Sequence, residues 1–139
     1  MNHRAKGFTL IELVIIIVVL GILASVAIPK YKNIVAESKE AACKGALGSL
    51  RSGASIYYAN AAVTTGNATW PPLDSLSTVG VVMEHAIPSN PYQLETSAPD
   101  SIVTGVTKGT IVGTRGGWAY LASTGEVWPN TNSVGENNW

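Results

Sequence analysis

The longest apolar run of the chain lies near its beginning. Between Phe8 and Ile28 the only charged residue is Glu12. At a helical rise of about 1.5 Å per residue, this run covers roughly 30 Å, which is the thickness of the hydrocarbon core of a bilayer. The pattern therefore predicts a membrane-spanning helix. Arg4 and Lys6 precede the run, and the positive-inside rule places that end on the cytoplasmic side.

The residues after Pro29 keep a helical pattern but become amphipathic. Apolar side chains recur at helical spacing and form one stripe, whereas the charged positions mostly lie away from it. We therefore expect this half of the helix to leave the membrane and cover a globular domain. The stripe consists of Cys43, Ala46, Leu47, Leu50, Ala54 and Tyr57, and the positions away from it are Lys39, Lys44, Arg51 and Ser55.

From Ala62 onward the composition changes to Thr, Gly, Asn, Pro and Ser. Pro71 and Pro72 exclude a regular helix at that point, and a short helix is predicted over residues 73–83. Residues 87–95 contain two prolines that indicate a loop.

Residues 101–139 contain the β pattern of the chain. Residues 101–114 alternate β-branched residues with Thr and Gly, and residues 116–130 predict two strands joined around Ser123–Gly125. Trp118 and Tyr120 share one strand face and are interpreted as core. The tail after Asn130 has little to bury except Trp139.

These patterns predict an α+β fold with a long N-terminal helix packed on a small C-terminal antiparallel sheet. Four segments are expected. They are a leader at 1–7, a transmembrane helix half at 8–29, an amphipathic helix half at 30–61 and a globular head at 62–139.

Composition narrows the classes of function. The formal net charge is zero, so the basic surface needed for nucleic acid is missing and no specific nucleic-acid binding is predicted. Cys43 is the only cysteine, which excludes an internal disulfide and predicts a buried apolar role for this side chain. His85 has no catalytic or metal-binding partners nearby in sequence. No catalytic set, cofactor or metal site is therefore predicted.

Two ordinary interpretations of the apolar run remain open. A secretory signal peptide would be cut after Ala27, following the small-residue pattern at residues 25–27. Glu12 and the helical sequence beyond Ala27 argue against it. A plain single-span anchor is the other interpretation, but it does not explain Glu12.

The stretch "KGFTLIEL" resembles the processing site of type IV prepilins. The resemblance implies that a prepilin peptidase cuts between Gly7 and Phe8 and methylates the new amino group of Phe8. It also implies that Glu12 faces the amino terminus of a neighbouring subunit. In the family the helix often loosens between a glycine and a proline, here Gly21 and Pro29. Alternatives are that Glu12 pairs with the amine of its own chain or lies at headgroup level, and that the expected kink near Pro29 only marks the exit from the membrane.

The resemblance favours a structural subunit of a type IV pilus that serves adhesion, motility or DNA uptake. The alternative is a pseudopilin of type II secretion, which would build a periplasmic filament, and a membrane-anchored or secreted enzyme is a third class. Implied partners are further copies in a helical filament, the prepilin peptidase, the inner-membrane assembly machinery and the membrane itself before assembly. The precursor would be a single-pass inner-membrane protein, and the product would lie in an extracellular pilus.

Overall fold

The computed structural model describes residues 7–139. The basic residues Arg4 and Lys6, and all of the predicted leader except Gly7, lie outside this range. The chain divides into two compact units, of which the first ends at Ser38 and the second is Lys39–Trp139. We call them the N-terminal unit and the C-terminal unit.

One long helix, α1 (Leu10–Thr65), contributes to both units. Its last turn is followed by Gly66, which has a φ of 73° and donates its amide to the carbonyl oxygen of Ala62 at 3.1 Å. Glycine adopts this left-handed conformation without a steric penalty and commonly ends helices. The predicted long helix is therefore confirmed as an element, and it ends at Thr65.

In the C-terminal unit the apolar stripe of α1 forms one side of the core. Cys43, Leu47, Leu50 and Ala54 are buried, as the helical spacing predicts. Gly53 is also buried, and no side chain fits at this position because a Cβ would lie 2.6 Å from the sulfur of Met83. The core cluster comprises Cys43, Leu47, Leu50, Leu76, Ile102, Trp118, Tyr120 and Val127.

The sheet has three strands in the order β1 (Ile102–Thr104), β2 (Trp118–Leu121) and β3 (Glu126–Pro129). The predicted hairpin is confirmed, since β2 and β3 are antiparallel with Trp118 opposite Pro129. The sheet as a whole is mixed, because β1 runs parallel to β2 with Ile102 opposite Trp118. The α+β class is confirmed, but an entirely antiparallel sheet is wrong.

The parallel pairing follows from the connection between β1 and β2. Parallel neighbours need a crossover of about a dozen residues, and residues 105–117 provide it. Asn130 holds this crossover, since its side chain accepts from the amide of Val112 at 2.7 Å and donates to the carbonyls of Val112 and Arg115. A glycine-rich stretch predicted as strand is therefore mostly loop, tied down by a buried amide.

The second helix, α2 (Leu73–Ser77), is shorter than the predicted span of 73–83. Thr78 has an extended backbone, with φ −90° and ψ 117°, and Gly80 has a φ of 87°. Neither conformation continues a helix, so the second half of that prediction is wrong.

The tail was expected to bury little besides Trp139, and this expectation is wrong. Glu136 is fully buried and accepts hydrogen bonds from the amides of Ser133 at 2.9 Å and Val134 at 2.8 Å. Burial opposes the charge of Glu136, but hydrogen bonds from Ser133, Thr131 and Val134 outweigh it and lower the pKa of the carboxyl group. The tail is therefore an integral part of the C-terminal unit.

Arg51 also departs from its prediction. It was placed away from the buried stripe, yet its guanidinium donates to the carbonyl oxygen of Val127 at 2.9 Å and to that of Trp139 at 2.5 Å. Lys44 lies 4.7 Å from the centre of the Trp139 ring. These cations connect α1 to β3 and to the tail, so they contribute to the fold of the C-terminal unit.

Candidate assembly site

From Phe8 to Ile28 the N-terminal unit presents an apolar surface in which Glu12 is the only charged residue. Every described residue from Gly7 to Ser38 is exposed, and Phe8 retains 82% of its surface. This part of α1 is long and apolar enough to cross a membrane. Apolar surface on this scale marks a contact with a membrane or with other proteins. The N-terminal unit is therefore the candidate site for contacts with lipid or with other proteins.

Glu12 makes a reciprocal cap with Thr9 at the start of α1. The carboxylate oxygen Oε2 accepts from the amide and from the hydroxyl of Thr9, both at 2.8 Å, and the Glu12 amide donates to the Thr9 hydroxyl at 3.2 Å. This is a capping box, in which a Thr and a Glu three residues later satisfy the free amides of the first helical turn. This cap was not predicted from the sequence, although its spacing is visible in "TLIE".

The cap uses only half of the hydrogen-bonding capacity of the carboxylate. Both accepted bonds end on Oε2, and Oε1 has no donor among residues 7–139. A carboxylate carries about four acceptor sites, so Glu12 can hold the cap and still accept from another molecule. The helix N-terminus itself also stabilises a nearby negative charge.

Gly7 and Phe8 precede the helix and are both accessible. A Cβ on Gly7 would meet no atom within 4 Å, and both residues are exposed. The bond between them is thus open to a protease, and cleavage and methylation at this position stay predictions.

Gly21 and Pro29 both lie within α1, and the helix continues without interruption through them. Proline lacks the amide that the helical ladder needs, yet α1 does not end at Pro29. A kink or loosening between the two residues in a filament stays a prediction.

Neither a metal-ligand cluster nor a reactive thiol is present among the described residues of the C-terminal unit. No group of three His, Cys, Asp or Glu side chains in residues 7–139 is arranged to hold a metal ion. Burial, assisted by the nearby Glu136 carboxylate, raises the pKa of the Cys43 thiol to about 11. A thiol with such a pKa is protonated at neutral pH and is a poor nucleophile.

The beginning of the chain matches the profile of a known family. The family whose profile matches the chain is described as "Prokaryotic N-terminal methylation motif", and the match covers residues 2–28. The chain is 45% identical over 51 residues to the type IV major fimbrial protein FimA of Dichelobacter nodosus, an alignment that covers 37% of this chain and 33% of that protein. The chain thus matches about a third of the length of FimA.

Two further relatives match over longer stretches. The type IV major pilin protein PilE1 of Neisseria gonorrhoeae is 32% identical over 104 residues, covering 75% of this chain and 58% of the relative. The type IV narrow pilus major component PilA5 of Thermus thermophilus is 33% identical over 90 residues, covering 55% of this chain and 78% of the relative. The chain belongs to the type IV pilin family. No solved structure matches this pilin significantly.

The names of these relatives bear on the alternatives left open by the sequence. All three relatives are named as pilus or fimbrial proteins, and none of the three is named as a pseudopilin. The match to the methylation motif includes Gly7, Phe8 and Glu12 in one segment. The structure adds the Thr9 cap at the centre of that segment.

Proposed function

We propose that this pilin is a structural subunit of a type IV pilus and polymerises through its N-terminal helix. The observation that carries the proposal is the exposed apolar surface of residues 8–28, which is interrupted by one carboxylate at the start of a helix. A surface of this kind needs lipid before assembly and other helices after it. We propose no enzymatic activity and no cofactor.

Assembly begins with processing of the precursor in the inner membrane. A prepilin peptidase cuts between Gly7 and Phe8 and methylates the new amino group. The accessible Gly7–Phe8 bond and the match to the methylation motif support this step. Cleavage leaves the apolar helix in the product and creates a positive charge at Phe8, because a free α-amino group is mostly protonated at neutral pH.

Before assembly the helix lies in the membrane, where the charge of Glu12 is energetically unfavourable. An ionised carboxylate in the bilayer interior costs a few kcal/mol, and this cost falls when hydrogen bonds satisfy the group. The two bonds from Thr9 supply part of that compensation within one chain. The capped Glu12 is thus tolerated in the membrane without being fully neutralised.

Filament growth completes the compensation. The Phe8 amine of a neighbouring copy binds the free Oε1 of Glu12, while the apolar helices pack together. Because the pair forms in surroundings with little water, its attraction is stronger than at a water-exposed surface. Thr9 positions the carboxylate for this contact by holding Oε2. The membrane-embedded assembly machinery extracts each subunit, and the finished filament lies outside the cell.

Mass spectrometry of native filaments tests the proposal. We expect the pilin as an abundant component whose chain begins at methylated Phe8 and whose mass includes residues 8–28. A mature chain beginning at Ile28 would show signal-peptide cleavage and overturn the proposal. Absence of the pilin from surface filaments would overturn it as well.

A further inference from the structure

Within the N-terminal unit, three charged side chains follow the apolar run on α1. Lys30 and Lys32 come first, and Glu37 follows them. All three are exposed, and none forms an ion pair with another residue in the described range 7–139. Charges on one helix meet at spacings of three or four residues, whereas Glu37 is seven residues from Lys30 and five from Lys32. These three charges are therefore available for ion pairs with another molecule.

The order of charge along the helix repeats the order at its start. In both places a positive group precedes a carboxylate, first Phe8 and Glu12, then the lysine pair and Glu37. At about 1.5 Å per residue, Lys32 and Lys30 lie about 7.5 and 10.5 Å before Glu37, and Phe8 lies at least about 6 Å before Glu12. The two offsets thus have the same direction and a similar length.

This repetition has a consequence for parallel copies of the chain. Two copies at the same depth place lysine beside lysine, Glu37 beside Glu37 and Glu12 beside Glu12, and like charges repel. If one copy advances by one such offset, its Phe8 amine reaches the level of Glu12 on the other copy. The same shift brings its lysine pair to the level of Glu37. One axial displacement therefore satisfies both sets of charges.

We propose that Glu37 forms ion pairs with Lys30 and Lys32 of a second copy of this chain, advanced by one axial step, and that these pairs set the stagger between neighbouring subunits. The occupant is a second copy because the charges that complement Glu37 lie on the chain itself, at the offset that the Glu12 contact requires. This inference rests on the proposed function and extends it by naming a second contact. One exposed pair contributes little, but the pair recurs at every subunit of a filament.

The lysine pair also has an ordinary interpretation. Lys30, Tyr31 and Lys32 directly follow the membrane-spanning run, where basic and aromatic residues commonly lie at the interface with water. That role needs positive charge at residues 30 and 32 and makes no use of Glu37. The two interpretations therefore differ in the effect of reversing Glu37, and in whether a second reversal restores assembly.

The test is a charge-swap series in cells that produce the full chain. Glu37→Lys alone, and Lys30→Glu with Lys32→Glu, should each lower fibre yield at least fivefold, while the amount of trimmed subunit stays within twofold of wild type. The combined swap of all three residues should restore fibre yield to within twofold of wild type. Glu95→Lys is the matched control, because Glu95 is exposed in the C-terminal unit and the charge change is identical.

The outcomes separate this inference from the proposed function. If wild-type cells form fibres and Glu37→Lys gives the same fibre yield as Glu95→Lys, the proposed contact of Glu37 with Lys30 and Lys32 of a second copy is wrong. The proposed function as a pilus subunit is then unaffected. Failure of the combined swap to restore fibres also overturns the contact. If Glu37→Lys does not accumulate as trimmed subunit, Glu37→Gln replaces it in the series. Glu37→Gln should lower fibre yield at least twofold, and an unchanged fibre yield would overturn the contact. If fibres from wild-type cells do not contain this chain, the proposed function itself is wrong.

Discussion

The two units of this pilin treat polar and apolar groups in opposite ways. In the N-terminal unit the apolar side chains are exposed, and Glu12 keeps an oxygen without a donor among residues 7–139. In the C-terminal unit the aromatic side chains Trp118 and Tyr120 are buried, and no buried side-chain oxygen or nitrogen in the described range lacks a hydrogen bond. The C-terminal unit satisfies its buried polar side chains within its own chain, whereas the apolar side chains of the N-terminal unit are left uncovered by residues 7–139.

The contrast teaches where a substitution should act. Changes in the N-terminal unit should alter processing or assembly and leave the stability of the C-terminal unit unchanged. Changes in the C-terminal unit should alter its free energy of unfolding and leave processing intact. Each of the following substitutions tests whether effects on processing and effects on stability separate in this way.

The largest effect is expected at the cleavage position. Gly7→Val should reduce trimmed subunit more than tenfold, because a peptidase must approach the backbone closely and Gly7 presents no side chain. A blot that resolves precursor from trimmed subunit measures it. Gly48→Val is the control, since a Cβ at this exposed helical glycine meets no atom within 4 Å. Normal trimming of Gly7→Val would place the cut elsewhere.

In the C-terminal unit the strongest effect is expected at Gly117. A Cβ at this position would lie 1.8 Å from the carbonyl oxygen of Pro99. Gly117→Ala should therefore destabilise the unit by about 2 kcal/mol or more, because backbone must move. Thermal unfolding of the full chain in detergent measures the loss. Gly45→Ala, at an open helical position, should instead stabilise by about 0.5–1 kcal/mol. Equal stability of the two variants would contradict the packing described here.

A smaller effect is expected at Arg51, which bonds the carbonyl oxygens of Val127 and Trp139. Arg51→Ala should cost about 1–2 kcal/mol, since it removes charge-assisted hydrogen bonds between α1, β3 and the tail. Lys39→Ala, at an exposed position, should stay within about 0.5 kcal/mol of wild type. The same unfolding assay distinguishes the two variants. If Arg51→Ala leaves the free energy of unfolding unchanged, packing alone holds the tail.

The smallest effect is a pH dependence. The folded-state pKa of Glu136 is lowered, so its ionised form adds stability above the unfolded-state pKa and loses that contribution as pH falls through the folded-state value. Wild type should therefore exceed Glu136→Gln in stability at pH 7, and the difference should shrink towards pH 3. Unfolding of both chains across this range measures it. A difference that does not change with pH would contradict a stabilising charge.

The helix and its two halves could be predicted because their signals are local and periodic. The apolar run around Glu12 and the stripe from Cys43 to Ala54 each recur at helical spacing. The hairpin was also local, since β2 and β3 are joined by a short turn at Ser123–Gly125. The Thr9–Glu12 cap was equally local and could have been predicted from its spacing.

The missed features depend on contacts between distant residues. The parallel pairing of β1 with β2 needs the crossover held by Asn130, and no periodic pattern marks that amide. The burial of Glu136 and the contacts of Arg51 with β3 likewise join segments far apart in sequence. Arg51 was placed outside the core by its position on the helix, and the tail was placed there because it has few apolar residues. Neither local pattern contains information on these long-range polar contacts.

The central claim is that the charge of Glu12 acts between copies of the chain, beyond its role in capping its own helix. Glu12→Gln tests this directly, because the amide oxygen can still accept from Thr9 while the negative charge is lost. We expect fibre yield to fall at least tenfold, as it should for Glu12→Val, with trimmed subunit remaining at wild-type level in the membrane. Normal fibre yield from Glu12→Gln would show that the cap suffices, and it would contradict pairing of Glu12 with the Phe8 amine of a neighbour.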